Sequence, residues 1–146
     1  MSILLNSSRC HQFVYVPSND LLLTALDQHA DVLEGDSKPP LVVTGERGSG
    51  KSALLANWAE KRMEHKHKEE FLFQHYVSAS DTSSHLGPAL SRLELALKDH
   101  FQLREMEVPD TEERLRWSLN RFLSAAAKKN HSARIVIIID GVDKMK

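Results

Sequence analysis

Leu41-Val42-Val43-Thr44-Gly45-Glu46-Arg47-Gly48-Ser49-Gly50-Lys51-Ser52-Ala53-Leu54-Leu55 is the stretch whose reading decides the fold. A short apolar run meets a glycine-rich turn, then a lysine, a hydroxyl and a helix-forming segment. The spacing is Gly-x-x-x-x-Gly-Lys-Ser, that of a phosphate-binding loop. Successive backbone N–H groups in such a loop converge on a polyphosphate, and glycines permit positive φ and close backbone approach. The helix starting near Gly50 turns its positive end toward the same charge. On this reading Lys51 reaches the β- and γ-phosphates, and Ser52 places its hydroxyl on Mg2+. The bland alternative is a glycine turn that only joins a strand to a helix. The motif requires a strand before it and a helix after it, and both patterns are legible here.

Moving outward, the 146 residues make one domain or part of one. Hydrophobic content of 41% and charged content of 27% fit a globular protein in water. The net charge of −1 gives no strong pull toward nucleic acid or an anionic membrane. Cys10 is the single cysteine, so no internal disulfide forms, which suits a reducing compartment and a cytoplasmic location. Met1 to Leu5 is too short and lacks the basic flank of a signal peptide. No apolar run reaches membrane-spanning length.

Met1 to Gln12 reads as a loose terminus, and Phe13 to Val16 as a short extended piece stopped by Pro17. Ser18, Asn19 and Asp20 offer caps for a helix to about Leu33, with Leu22, Leu23, Leu26, Ala30 and Leu33 on one face. Gly35 ends it, and residues 36–40 turn into the first strand. Leu41 to Thr44 is expected to be a strand buried on both faces, since it is apolar without alternation. The helix after the loop spans about Gly50 to His65, with Leu54, Leu55, Trp58 and Arg62 on one face. His65 and His67 in the charged connector could suggest a metal site, but no further ligands of metal spacing support it, and a solvated face is preferred.

Phe71 to Val77 reads as a second strand. Ser78 to Ser84, rich in small hydroxyl residues, reads as a loop ending in a helix cap rather than a ligand contact. A helix follows from near His85, striped by Leu86, Leu90, Leu93, Leu97 and Phe101 and broken by Met106 to Pro109. Asp110-Thr111-Glu112-Glu113 looks like a capping box opening a third helix, with Leu115, Leu119, Phe122 and Ala126 facing inward. Trp117 points the other way, either toward a neighbouring module or simply across the surface. Arg134 to Ile139 contains five consecutive β-branched residues and reads as a strand buried on both faces, ending in Asp140. Open parallel sheets place ligands at the carboxyl ends of their strands. Asp140 is therefore expected on the same sheet edge as the glycine-rich turn, holding Mg2+.

The stretches Leu41 to Leu55 and Ile135 to Asp143 together resemble the STAND class of P-loop NTPases, and within it NACHT and nephrocystin-3-like NTPase domains. The run from Gly45 to Trp58, the residues His75 to Ser80 and the pair Asp140 and Asp143 are similar to that family's. The resemblance runs from about Phe13 to the end. It implies a three-layer α/β/α fold with a parallel sheet, incomplete in this chain: residues 1–16 an N-terminal segment, residues 17–146 a partial domain ending after the acid-bearing strand. It implies ATP and Mg2+ as cofactors, with Gly45, Glu46, Arg47, Gly48, Ser49, Gly50, Lys51 and Ser52 around the phosphates. Ser52 and Asp140 would hold the metal, and Lys51 and Asp143 would be the catalytic groups. Many related ATPases carry a glutamate directly after the metal-holding acid; here Gly141 stands there, which implies slow turnover. Pro17-Ser18-Asn19 replaces the family's Gly-Arg pair near the base. Family members continue into further regions, so protein partners are expected through those, and a ciliary association follows from the resemblance alone.

Three functions are open: an ATP-dependent switch, a scaffold with a vestigial nucleotide site, and a small-molecule phosphotransferase. The switch is preferred over the last because no arginine-rich lid or acceptor pocket is legible. No membrane span and no nucleic-acid partner are expected.

Overall fold

The computed structural model of the chain describes residues 19–31, 39–64, 70–77 and 83–146. Two compact units divide it, Met1–His65 and Lys66–Lys146.

In the first unit, α1 (Asn19–Ala30) and α2 (Lys51–Glu64) flank the glycine-rich loop. The helical spacing of Leu54, Leu55, Trp58 and Arg62 puts all four on the buried side of α2, as the pattern predicts. A buried guanidinium must be paired, and α1 supplies the acids. Arg62 NH1 donates to Asp27 Oδ1 at 3.1 Å and NH2 to Asp31 Oδ1 at 2.7 Å, while Trp58 Nε1 donates to Asp27 Oδ1 at 2.8 Å. The guanidinium also lies over the Trp58 ring. On α1 the apolar face is only partly covered: Leu26 is buried, Leu23 and Ala30 half-buried, and Leu22 exposed.

The second unit is a β–α–α–β arrangement. β1 (Glu70–Tyr76) and β2 (Arg134–Asp140) pair in parallel, from Glu70↔Arg134 to Tyr76↔Asp140. The fold is therefore α/β, and among the described residues the sheet has two strands. α3 (Leu86–His100) and α4 (Glu112–Lys129) lie between them in sequence. Phe71 and Phe73, on one face of β1, pack against Leu93, Leu97, Phe101, Leu103, Phe122 and Ala126. A Cβ on Gly87 would stand 3.5 Å from Glu112, and Ser118 Oγ donates to Glu94 Oε1 at 2.7 Å. The two helices thus run in the same direction, and residues 101–111 return along them. Gln102, at φ +55, starts the return, and Leu103, Met106 and Val108 pack onto the core.

Several expectations are corrected. Residues 41–46 form no strand, and Val42 is 74% exposed. A strand is defined by its ladder, and among the described residues no neighbour pairs with this segment. β2 is not buried on both faces: Ile138 is buried, but Ile137 and Ile139 are exposed. Among the described residues β1 is the one strand beside β2, and side chains of β2 keep contact with water. α3 ends at His100, ahead of the expected break at 106–109, and its N-cap is His85 without a side-chain cap bond. Backbone replaces the expected hydroxyl cap: Leu86 N donates to Lys146 O at 3.0 Å. The capping box also fails. The N-cap of α4 is Thr111 rather than Asp110, again with no side-chain bond, and this shift puts Arg114 where the box needs an acid. The expectations for residues 1–18, Leu33, Gly35, His65, His67 and 78–82 lie outside the described residues.

Among the described residues no helix is long and apolar enough to cross a membrane.

Candidate functional site

At the N-terminus of α2 the chain makes two left-handed residues in close succession, Gly48 at φ +84 and Gly50 at φ +87. An L-residue there costs roughly 1–2 kcal/mol, which is why glycine recurs at this spacing. A Cβ at either position would meet nothing within 4 Å. Backbone conformation alone, and not crowding, selects these glycines. Ser49 N donates to Glu46 O at 3.2 Å and closes the turn; Leu54 N donates to Gly50 O at 2.8 Å and starts the helix.

Lys51 folds back into this loop. Its Nζ donates to Gly45 O at 2.8 Å, to Glu46 O at 2.6 Å and to Ser49 Oγ at 3.3 Å. All three ammonium donors are thereby used inside the bow of the loop. A Cβ on Gly45 would come within 3.0 Å of Ser49 Oγ, so that position lies on the crowded inner side. Glu46 and Arg47 are exposed at the turn, and Ser52 is half-buried in the first turn of α2. No acid sits in that first turn, so the helix's positive pole is not neutralised by α2 itself. The helix N-terminus and the glycine backbone form a donor set that fits a phosphate chain, and Lys51 supplies a nearby positive charge that would have to leave its loop partners to donate to it.

The second group lies in the second unit. Asp140 ends β2 opposite Tyr76, half-buried, and its carbonyl accepts from Val77 N at 2.9 Å. Gly141 follows at φ +81 and begins a 3-10 turn, Val142–Lys144, that carries Asp143 exposed. A Cβ on Gly141 would stand 3.2 Å from Val77 Cβ. A side chain after Asp140 is thus disfavoured by φ and would require Val77 to shift slightly. Mg2+ takes one or two carboxylates plus phosphate oxygens more readily than an all-protein cage. Among the described residues no group of three or more His, Cys, Asp or Glu could hold a metal ion.

Two buried polar groups were not legible as such in the sequence. His75 is buried on β1; Arg92 NH1 donates to its Nδ1 at 3.2 Å, which makes Nε2 the protonated nitrogen that donates to Ser83 O at 2.8 Å. Burial pushes the His75 pKa down, and the Arg92 charge adds to this against the opposing carbonyl of Ser83. Glu94 is fully buried between α3 and α4, with Oε2 unpartnered, and burial pushes its pKa up against the Ser118 hydrogen bond. Its place in the apolar stripe, four residues after Leu90 and three before Leu97, was the available signal. The signal for the α1–α2 clasp was the spacing of four shared by Asp27 and Asp31 with Trp58 and Arg62.

Loop, helix and acid-ended strand define a class, the nucleotide-binding P-loop modules of α/β fold. Within that class, the family model for the AAA ATPase domain matches residues 18–146, and the chain belongs to this family. Nephrocystin-3 of Mus musculus is 32% identical over 109 residues, which cover 74% of this chain and 8% of the relative. Nephrocystin-3 of Homo sapiens is 30% identical over 109 residues, with the same shares of 74% and 8%. A TPR repeat-containing protein of Dictyostelium discoideum is 33% identical over 67 residues, 46% of this chain and 4% of that one. The matches thus span only a small fraction of these relatives' length. No solved structure matches the chain.

Proposed function

We propose that the chain binds ATP with Mg2+ and serves as a nucleotide-dependent switch with slow hydrolysis, within a signalling or scaffold protein. The observation that carries this reading is the Lys51 ammonium, held 2.6–2.8 Å from the Gly45 and Glu46 carbonyls of a loop whose Gly48 and Gly50 take left-handed φ. In this reading the backbone of Gly45, Glu46, Arg47, Gly48, Ser49 and Gly50 cradles the phosphates and Lys51 neutralises them. Ser52 and Asp140 hold Mg2+, which when bound neutralises charge on the phosphate oxygens. Asp143 orients water. Gly141 supports slow turnover, because it places no carboxylate directly after Asp140.

The STAND and NACHT-like assignment, nephrocystin-3-like in particular, is supported by the 32% identity to nephrocystin-3. With it go a three-layer α/β/α sheet, protein partners bound through other regions, and a cytoplasmic setting. Titration with a fluorescent ATP analogue tests the reading. Saturable binding is expected, strengthened by Mg2+, with that strengthening lost in Asp140→Asn and in Ser52→Ala. Phosphate release without any acceptor should be slow but measurable. Absence of binding would turn the reading toward a scaffold with a vestigial site.

A further inference from the structure

α4 carries two faces of different chemistry. Leu115, Ser118, Phe122 and Ala126 are buried. The opposite side presents Arg114, Trp117 and Arg121, spaced three and four residues apart so that they form one stripe. The Trp117 side chain is 78% exposed. One exposed indole is ordinary by itself. Its setting is less so. Arg114 and Arg121 lie on either side of it along the helix, about 10 Å apart by helical rise. Among the described residues neither is paired with an acid. By contrast Arg116, on the neighbouring row, is neutralised by Glu112 at 2.6 Å. Lys128 and Lys129 extend the positive charge down the helix; near its start the other acids are Glu113 and, just before the helix, Asp110.

We propose that the Arg114–Trp117–Arg121 stripe docks an acidic protein segment: carboxylates on the two guanidinium groups, and an apolar or aromatic residue against the indole. Charge complementarity selects this occupant. Arginine binds carboxylates in bidentate fashion, and tryptophan and arginine are the residue types that dominate binding energy at protein interfaces. A polyanion such as RNA suits a broad positive field and several stacking rings. This chain has a net charge of −1, and the stripe has one ring. A membrane surface needs a continuous apolar face, whereas Asn120 and Ser124 share the exposed side with Trp117.

The test measures fluorescence anisotropy of a labelled probe of about ten residues, a phenylalanine set between pairs of glutamates, titrated with the full chain. Saturable binding is expected, weakened by salt. It should weaken about tenfold or more in Trp117→Ala and in the double variant Arg114→Glu/Arg121→Glu, in keeping with loss of an interface anchor. Trp117→Phe should retain it. Three results overturn the proposal: no saturation at millimolar protein, equal affinity in the wild type and both loss variants, or tighter binding of oligouridylate or phosphatidylserine vesicles through these residues.

Discussion

Gly48, Gly50 and Gly141 share left-handed φ but not surroundings. A methyl group at Gly48 or Gly50 enters open space, so Gly48→Ala pays only for the backbone, roughly 1–2 kcal/mol. Gly141→Ala adds a 3.2 Å approach to Val77 and should cost more. Chemical denaturation of the two variants checks the order; an equal loss would show that the Val77 contact yields freely. The sequence marks all three glycines, but only the structure separates a conformational requirement from a packing one. His75 makes a prediction about acid. Its folded-state pKa is lowered, so the unfolded chain takes up the proton first. Its contribution is complete above the ordinary value of about 6.5 and is lost as pH falls below that, with a slope of up to about 1.4 kcal/mol per pH unit. His75→Gln should flatten the slope of stability just below pH 6.5; an unchanged slope would place the titration elsewhere.

At the scale of elements, helices were legible where a stripe is long. Leu93 and Leu97 on α3, Phe101 at its C-cap, and Leu115, Phe122 and Ala126 on α4 are buried as their spacing requires, while Leu86, Leu90 and Leu119 of the same stripes are half-buried. Their ends were not legible. Asp110 and Thr111 are both good caps, and one residue of phase separates a capping box from none. Gln102 ends the α3 turn at positive φ without glycine to announce it. Leu41 to Thr44 failed for another reason: side-chain hydrophobicity can be read locally, but a ladder partner cannot. Glu94 is the clearest local conflict, a carboxyl in a leucine stripe. Its raised folded-state pKa means that its contribution is present below about 4.5 and lost as pH rises through the raised value. At neutral pH Glu94→Gln, which removes the charge that burial disfavours, should therefore stabilise the α3–α4 pair. Thermal unfolding at pH 7 and pH 4 checks this. The gain should shrink at pH 4, and destabilisation at both would show that the charged form is favoured.

For the molecule as a whole, the motif from Gly45 to Ser52 carried the class and the strand ending at Asp140 carried its second half. The family match over residues 18–146 agrees with the class. The loop's inner geometry, with Lys51 turned onto Gly45 and Glu46, follows from the same residues that announced it. That Asp140 serves the same nucleotide as Lys51 belongs to the proposal; the two residues lie in different compact units. Isothermal titration of Mg·ATP into the chain and into Lys51→Ala is the most direct measurement. The account predicts binding by the wild type and a loss of at least about tenfold without the lysine, about 1.4 kcal/mol or more. Equal affinity in the two proteins would contradict it.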